Sequence, residues 1–157
     1  MAEMHEEHGP DCTCGCHDHD HGHEHHHHDH EAAREREVDF SWASVVLESH
    51  VHDQAAIVSA TVRAKAEAGK TFGALVVAQK LIAQRVESAG GIVGHIKAYA
   101  RASESFAHAS VTDAQLAPAC EGDVNLVLGP DVQCQLVAIA LLVDLDVLEE
   151  IVLESLA

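Results

Sequence analysis

The feature that most constrains this 157-residue chain is a break in composition at residue 38: no Leu, Ile, Val, Phe, Trp or Tyr precedes Val38. Up to His30 the chain instead carries 11 of its 15 His and three of its five Cys. A segment without these residues has nothing to bury that could offset the entropy of ordering its backbone, and Gly9, Pro10, Gly15 and Gly22 loosen it further. Residues 1–37 are therefore expected to be a disordered, Cys/His-rich tail ending in a charged connector, 31–37, that is helical in part. Residues 38–157 are expected to form one folded domain.

Charge narrows the function classes. The net charge is −17, with 11 acidic and two basic residues in 1–37 and 15 acidic and seven basic in 38–157, so both parts are acidic. Binding to phosphate backbones or anionic lipid is carried by Lys and Arg, so neither nucleic acid nor a membrane surface is an expected partner. The longest apolar run, Leu136 to Val143, falls far short of the roughly 20 residues that span a bilayer. The start, Met1-Ala2-Glu3-Met4-His5-Glu6-Glu7, lacks the basic and apolar regions of a secretory signal. The expectation is a cytoplasmic protein whose cysteines are thiols or metal ligands.

Within the domain, the Val- and Thr-rich stretches 44–51 and 55–63 flank His52-Asp53-Gln54 and predict a hairpin. Phe72, Leu75, Val76, Gln79, Ile82 and Val86 recur at helical intervals over 71–88, with Thr71 as cap and Gly90-Gly91 as stop. Residues 92–102 alternate, with Ile92, Gly94, Ile96, Ala98 and Ala100 on one face and Val93, His95, Lys97, Tyr99 and Arg101 on the other. That is the pattern of a half-solvated strand, which 106–111 would pair. Residues 112–122, with Pro118, read as a loop. Residues 124–128 and 133–143 read as strands around Gly129-Pro130-Asp131, and Asp146 with Glu149 resembles a capping box opening a helix that ends at Leu156. The predicted fold class is α+β, a mainly antiparallel sheet with two helices on one face. The final helix carries Val147, Leu148, Ile151, Val152, Leu153 and Leu156. Such a wide apolar stripe serves a core or a second copy of the chain, which leaves a homo-oligomer open.

The tail holds the clearest chemistry. Cys12-Thr13-Cys14-Gly15-Cys16-His17 places three thiols and an imidazole within six residues, a ligand set that late first-row divalent metals prefer. A peptide this short would wrap the ion, with the metal imposing the loop. Beyond it, His17, His19, His21, His23, His25, His26, His27, His28 and His30 are interspersed with carboxylates. Neutral imidazole binds nickel, zinc, copper and cobalt, and ordinary His titrates near pH 6.5, so this run is expected to load at neutrality and release on acidification.

Asp11-Cys12-Thr13-Cys14-Gly15-Cys16 followed by a His run resembles the amino-terminal arm of the hydrogenase accessory protein B family, the nickel-insertion GTPases of hydrogenase maturation. In that family a Cys-x-x-Cys-Gly-Cys motif holds nickel and a His-rich stretch stores it. Here Cys14-Gly15-Cys16 matches the end of the motif, while its first Cys falls on Asp11. The resemblance covers residues 11 to 30 and implies nickel, with zinc as the alternative.

A GTPase would also need a phosphate loop. Ala64-Lys65-Ala66-Glu67-Ala68-Gly69-Lys70-Thr71 fits a loose A-x-x-x-x-G-K-T, but Lys65-Ala66-Glu67 supplies helix formers and a carboxylate where converging amides are required. Gly69-Lys70-Thr71 reads more simply as a turn and a cap. His50 and His52 share one face of their strand, and with His95 and His108 they are candidates for a second metal site. Cys120 reads as a loop thiol and Cys134 as a core residue.

The expected function is a metal-binding accessory protein, a metallochaperone or store that works by ligand exchange with a client metalloprotein or maturation factor and needs no chemical turnover. A metal-dependent enzyme built on His50, His52 and His95 is the main alternative. A non-enzymatic oligomer that detoxifies excess metal is a third.

Overall fold

The computed structural model describes residues 33–157. These form seven strands and two helices: β1 (Arg34–Asp39), β2 (Ala43–His52), β3 (Ala55–Ala64), α1 (Phe72–Ser88), β4 (Ile92–Arg101), β5 (Phe106–Val111), β6 (Ala119–Gly122), β7 (Gln133–Leu141) and α2 (Leu145–Leu156). The strands make one sheet in the order β1-β2-β3-β7-β4-β5-β6, antiparallel throughout. The fold is α+β. Because α1 joins β3 to β4 while the later β7 inserts between them, β3-α1-β4 is a split βαβ unit.

Alternation along the strands decides where the core lies. Val45 and Leu47 on β2, Val58 and Val62 on β3, Leu136 on β7 and Ile96 on β4 are buried on one face. Alanines lie between these larger residues, among them Ala56, Ala60, Ala98, Ala109 and Ala138. Their small side chains let both helices approach closely, and Phe72, Leu75 and Ile82 of α1 with Leu148 and Val152 of α2 fill the space. The α2 stripe is consumed by this core, which takes Leu145, Leu148, Ile151, Val152, Leu153 and Leu156 and leaves Val147 exposed.

Polar groups pin the two layers together. Trp42 Nε1 donates to the carbonyl of Leu156 at 2.8 Å, tying the start of β2 to the end of α2, and the Ser49 hydroxyl donates to Glu149. Arg85 of α1 reaches Glu154 of α2 at 2.7 Å. Gln79, wholly buried in α1, donates from Nε2 to the carbonyls of Ile96 (3.3 Å) and Ala109 (3.0 Å), bridging β4 and β5, while its Oε1 has no partner.

Several sequence expectations hold and several shift. The hairpin turns at Asp53 in the left-handed region (φ 54°). Helix α1 ends at the expected glycines. Arg34 to Glu37, expected as connector, begin the edge strand β1 instead, because pairing with β2 satisfies a backbone whose charged side chains stay in solvent. Residues 119–122, expected as loop, form β6 on β5. Residues 124–128, expected as a strand, are irregular. They are held by the start of α1: Phe72 N–H donates to Leu126 O and Gly73 N–H to Val124 O, which satisfies amides that the Thr71 side chain does not cap. Helix α2 starts at Leu145 with Asp144 as N-cap, two residues before the expected box.

A bulge lies between Val93 and His95. Its extra residue is Gly94, where a Cβ would stand 3.0 Å from the Ile139 carbonyl oxygen. The bulge reverses the alternation before it, so Ile92 is exposed and Val93 packs on the core. Beyond it Ile96, Ala98 and Ala100 face in, as expected.

Gln79→Ala would open a cavity and strip two carbonyls of a donor. It is expected to cost about 2–4 kcal/mol of unfolding free energy in urea titration. A loss well below this range would show that β4 and β5 hold together without the bridge.

Candidate metal-handling residues

The tail ligands Cys12, Cys14, Cys16 and His17 through His30 lie outside the described residues. Where the tail leaves the domain is nevertheless defined. Arg34 pairs with Ser49, so the chain enters the sheet at the edge strand, beside His50.

His50 and His52 do fall on one side of β2, as their spacing requires. The pairing ladder places the other histidines far from them. His50 pairs with Ile57, Ile57 with Ile139, and Ile139 with His95, so His50 and His95 stand in one row at opposite ends of three strand intervals. At about 4.8 Å per interval their backbones are about 14 Å apart. Zinc or nickel held by bonds of about 2 Å does not bridge that gap. His108 lies opposite Tyr99, four residue pairs further along the strands. Among the described residues no group of three or more His, Cys, Asp and Glu is placed to hold a metal ion. The row itself explains why: β3 and β7 come between the histidine-bearing strands and contribute Ile57 and Ile139.

His95 nonetheless has a distinct environment. Desolvation first, then the charges of Lys97 and His108, hold its imidazole below the ordinary value of 6.5. Protonation is therefore disfavoured in the folded state relative to the unfolded one. The resulting stability is complete above pH 6.5 and is lost as the pH falls through the folded-state value.

The two domain thiols differ. Cys134 is buried on β7, and burial pushes its thiol up to about 11, which keeps it protonated and poorly suited to ligation or attack. Cys120 is exposed on β6. The reading of Cys134 as a core residue agrees with this placement, while Cys120 lies on a strand rather than in a loop.

The stretch that loosely resembles a phosphate loop is occupied by other bonds. Leu128 N–H donates to Lys70 O, and the first two amides of α1 are taken by the carbonyls of Leu126 and Val124. No cradle of converging amides remains there. Among the described residues, no helix is long and apolar enough to cross a membrane. No protein-family model matches the chain, and no curated protein or solved structure is detectably similar to it.

Two outcomes check this site. NMR titration should place the His95 midpoint below 6.5, and Lys97→Ala should raise it; a midpoint at or above the ordinary value would contradict the burial argument. In a variant with Cys12, Cys14 and Cys16 replaced by Ser, a thiol reagent should label Cys120 quickly and Cys134 only on unfolding. Equal rates would mean that β7 opens in the native state.

Proposed function

We propose that the protein is a metal-binding accessory protein, a metallochaperone or store, with nickel as its leading cargo and zinc as the alternative. The observation that carries this reading is the ligand density of Cys12-Thr13-Cys14-Gly15-Cys16-His17 and of the nine imidazoles from His17 to His30. Thiolates and imidazoles in this number bind late first-row divalent ions, and redundancy lets them be held at graded strength. The Cys cluster keeps one ion tightly and the His run holds a labile reserve. Ions pass to a client metalloprotein or maturation factor by ligand exchange in the cytoplasm. The preference for nickel rests on the resemblance of residues 11–30 to the nickel-insertion GTPases. The ligand chemistry itself serves zinc equally well.

Attachment of the tail to an edge strand supports this reading, because a segment fixed at one end and rich in exchangeable ligands can reach a receiving site while the domain engages the client. The base of the tail is anchored to α2 as well, where Arg34 pairs with Asp146 at 2.5 Å.

Native mass spectrometry under reducing conditions tests the proposal on the full chain titrated with nickel and with zinc. Several ions should bind near neutral pH, one of them surviving a competing chelator. That one should be lost when Cys12, Cys14 and Cys16 become Ser. Acidification below about pH 6.5 should release the His-bound ions first. A full chain that binds no ion, or a Ser variant that keeps the tight one, would refute the assignment.

A further inference from the structure

Both helices pack on one face of the sheet, and no described element covers the other. The uncovered face has an unusual layout when its residues are placed by strand. The two central strands contribute a neutral seam, with Ile57, Ser59 and Thr61 on β3 against Ile139, Val137 and Gln135 on β7. Ile57, Val137 and Ile139 are only partly exposed but do not pack on the core.

On one side of the seam the outward charges are the carboxylates of Glu48 on β2 and of Glu35, Glu37 and Asp39 on β1, with His50 and His52 beside Glu48 on β2. On the other side they are basic or imidazole: His95, Lys97 and Arg101 on β4 and His108 on β5. Among the described residues Glu35, Glu37, Glu48, Lys97 and Arg101 enter no ion pair, although every one of them lies on a sheet that carries the opposite charge a few strands away.

We propose that this face is the interface of a symmetric dimer, covered by a second copy of the chain. A two-fold axis running parallel to the strands between β3 and β7 would lay the acidic half of each copy over the basic half of the other. The pairing rows carry the argument. Glu48, Ser59, Val137 and Lys97 lie in a single row. The axis therefore sets Glu48 opposite the partner's Lys97, and Lys97 opposite the partner's Glu48. In the next row but one from the hairpin, Glu37 on β1 falls opposite the partner's His108, because Glu37 pairs with Val46 and His108 with Tyr99. Ile57 meets the partner's Ile139 beside the axis, and these pairs close the apolar seam.

Four outward groups depart from the division: His50 and His52 lie on β2 among the acidic residues, His50 opposite the partner's His95, and the other two are single charges. Arg63 on β3 faces neutral Gln133, and Glu121 on β6 extends beyond the partner's β1. The twist that rotates packed sheets by about 30° shifts the outer pairs by about one residue, which long charged side chains absorb. Five strands, β2 to β5 through the seam, span roughly 24 Å by 30 Å. That footprint is on the scale of the roughly 800 Å² that each partner gives a stable interface.

A second copy fits this face better than the chain's own tail. Residues 1–37 offer only Met1 and Met4 as large apolar side chains to cover Ile57, Val137 and Ile139, and their net charge of −9 matches only the basic half. Opposite charges around an apolar centre are what an isologous contact requires, since each patch must complement itself.

The test is the solution mass of the full chain, by light scattering and sedimentation, with chelator and reductant present so that metal and disulfides contribute nothing. Wild type should weigh twice its 16.8 kDa chain mass. Glu48→Lys and Lys97→Glu each place like charges together twice per dimer, so each alone should raise the dimer dissociation constant at least about tenfold. The double variant Glu48→Lys/Lys97→Glu restores opposite pairing and should return to within about threefold of wild type. Both positions are exposed, so circular dichroism should be unchanged in all three variants. A wild-type monomer at about 100 μM would overturn the proposal, as would a dimer indifferent to either single reversal. Metal binding by the tail is read separately and does not enter this result.

Discussion

The structure depends on the insertion of β7 between β3 and β4. Leu136, Ala138 and Ala140 of this last strand complete the inner face that α1 and α2 cover, and its backbone supplies the partners of both neighbours. Until β7 is in place the split βαβ unit has a gap at its centre, and α1 spans two strands that touch nothing in common. The central pairings thus join residues 32 to 86 positions apart, from Arg101↔Gln133 to Ala55↔Leu141, and a fold of such non-local contacts closes late and cooperatively. The α2 helix, which follows β7 directly, then closes the open side of the core through Trp42, Ser49 and Glu149.

That same arrangement governs the chemistry of the surface. Alternation sends alanines and branched aliphatics inward and every strand histidine outward, and the intervening strands keep those histidines apart. Cys134 has the parity of the core and is silenced by burial. What the sheet displays collectively is a division of charge about a neutral seam, a property that belongs to no single strand. The Cys and His residues of positions 5–30 all precede β1, so the proposed capture of metal and the proposed association through the sheet would use separate parts of the chain.

Elements with a strong local signal were legible from residues alone. Asp53 between two Val-rich stretches marked the hairpin, the 3.6-residue recurrence from Phe72 to Val86 marked α1, and alternation marked most of β4. Elements defined by a partner were not. Residues Arg34 to Glu37 read as a charged connector because their side chains do not join the core, and only pairing with β2 makes them a strand with Val38 and Asp39. Residues 124–128 have the apolar content of a strand, yet their carbonyls cap α1, and an unsatisfied helix terminus outweighs another short ladder. The bulge at Gly94 inverts Ile92 and Val93 because register across β7, rather than the periodicity of β4, decides which side they face.

The sequence by itself determined the α+β class and the concentration of Cys and His before residue 31, since each follows from composition or from short-range periodicity. Only the tertiary structure decided strand order, and with it which residues share a row. His50 and His95 look like one candidate site along the chain and stand three strands apart in the sheet. Glu48 and Lys97 look unrelated along the chain and occupy mirrored positions across a seam. Spacing in sequence reports on neighbours along a strand, but the order in which strands pair is set by burial of the whole inner face, and that order decides which side chains can act together.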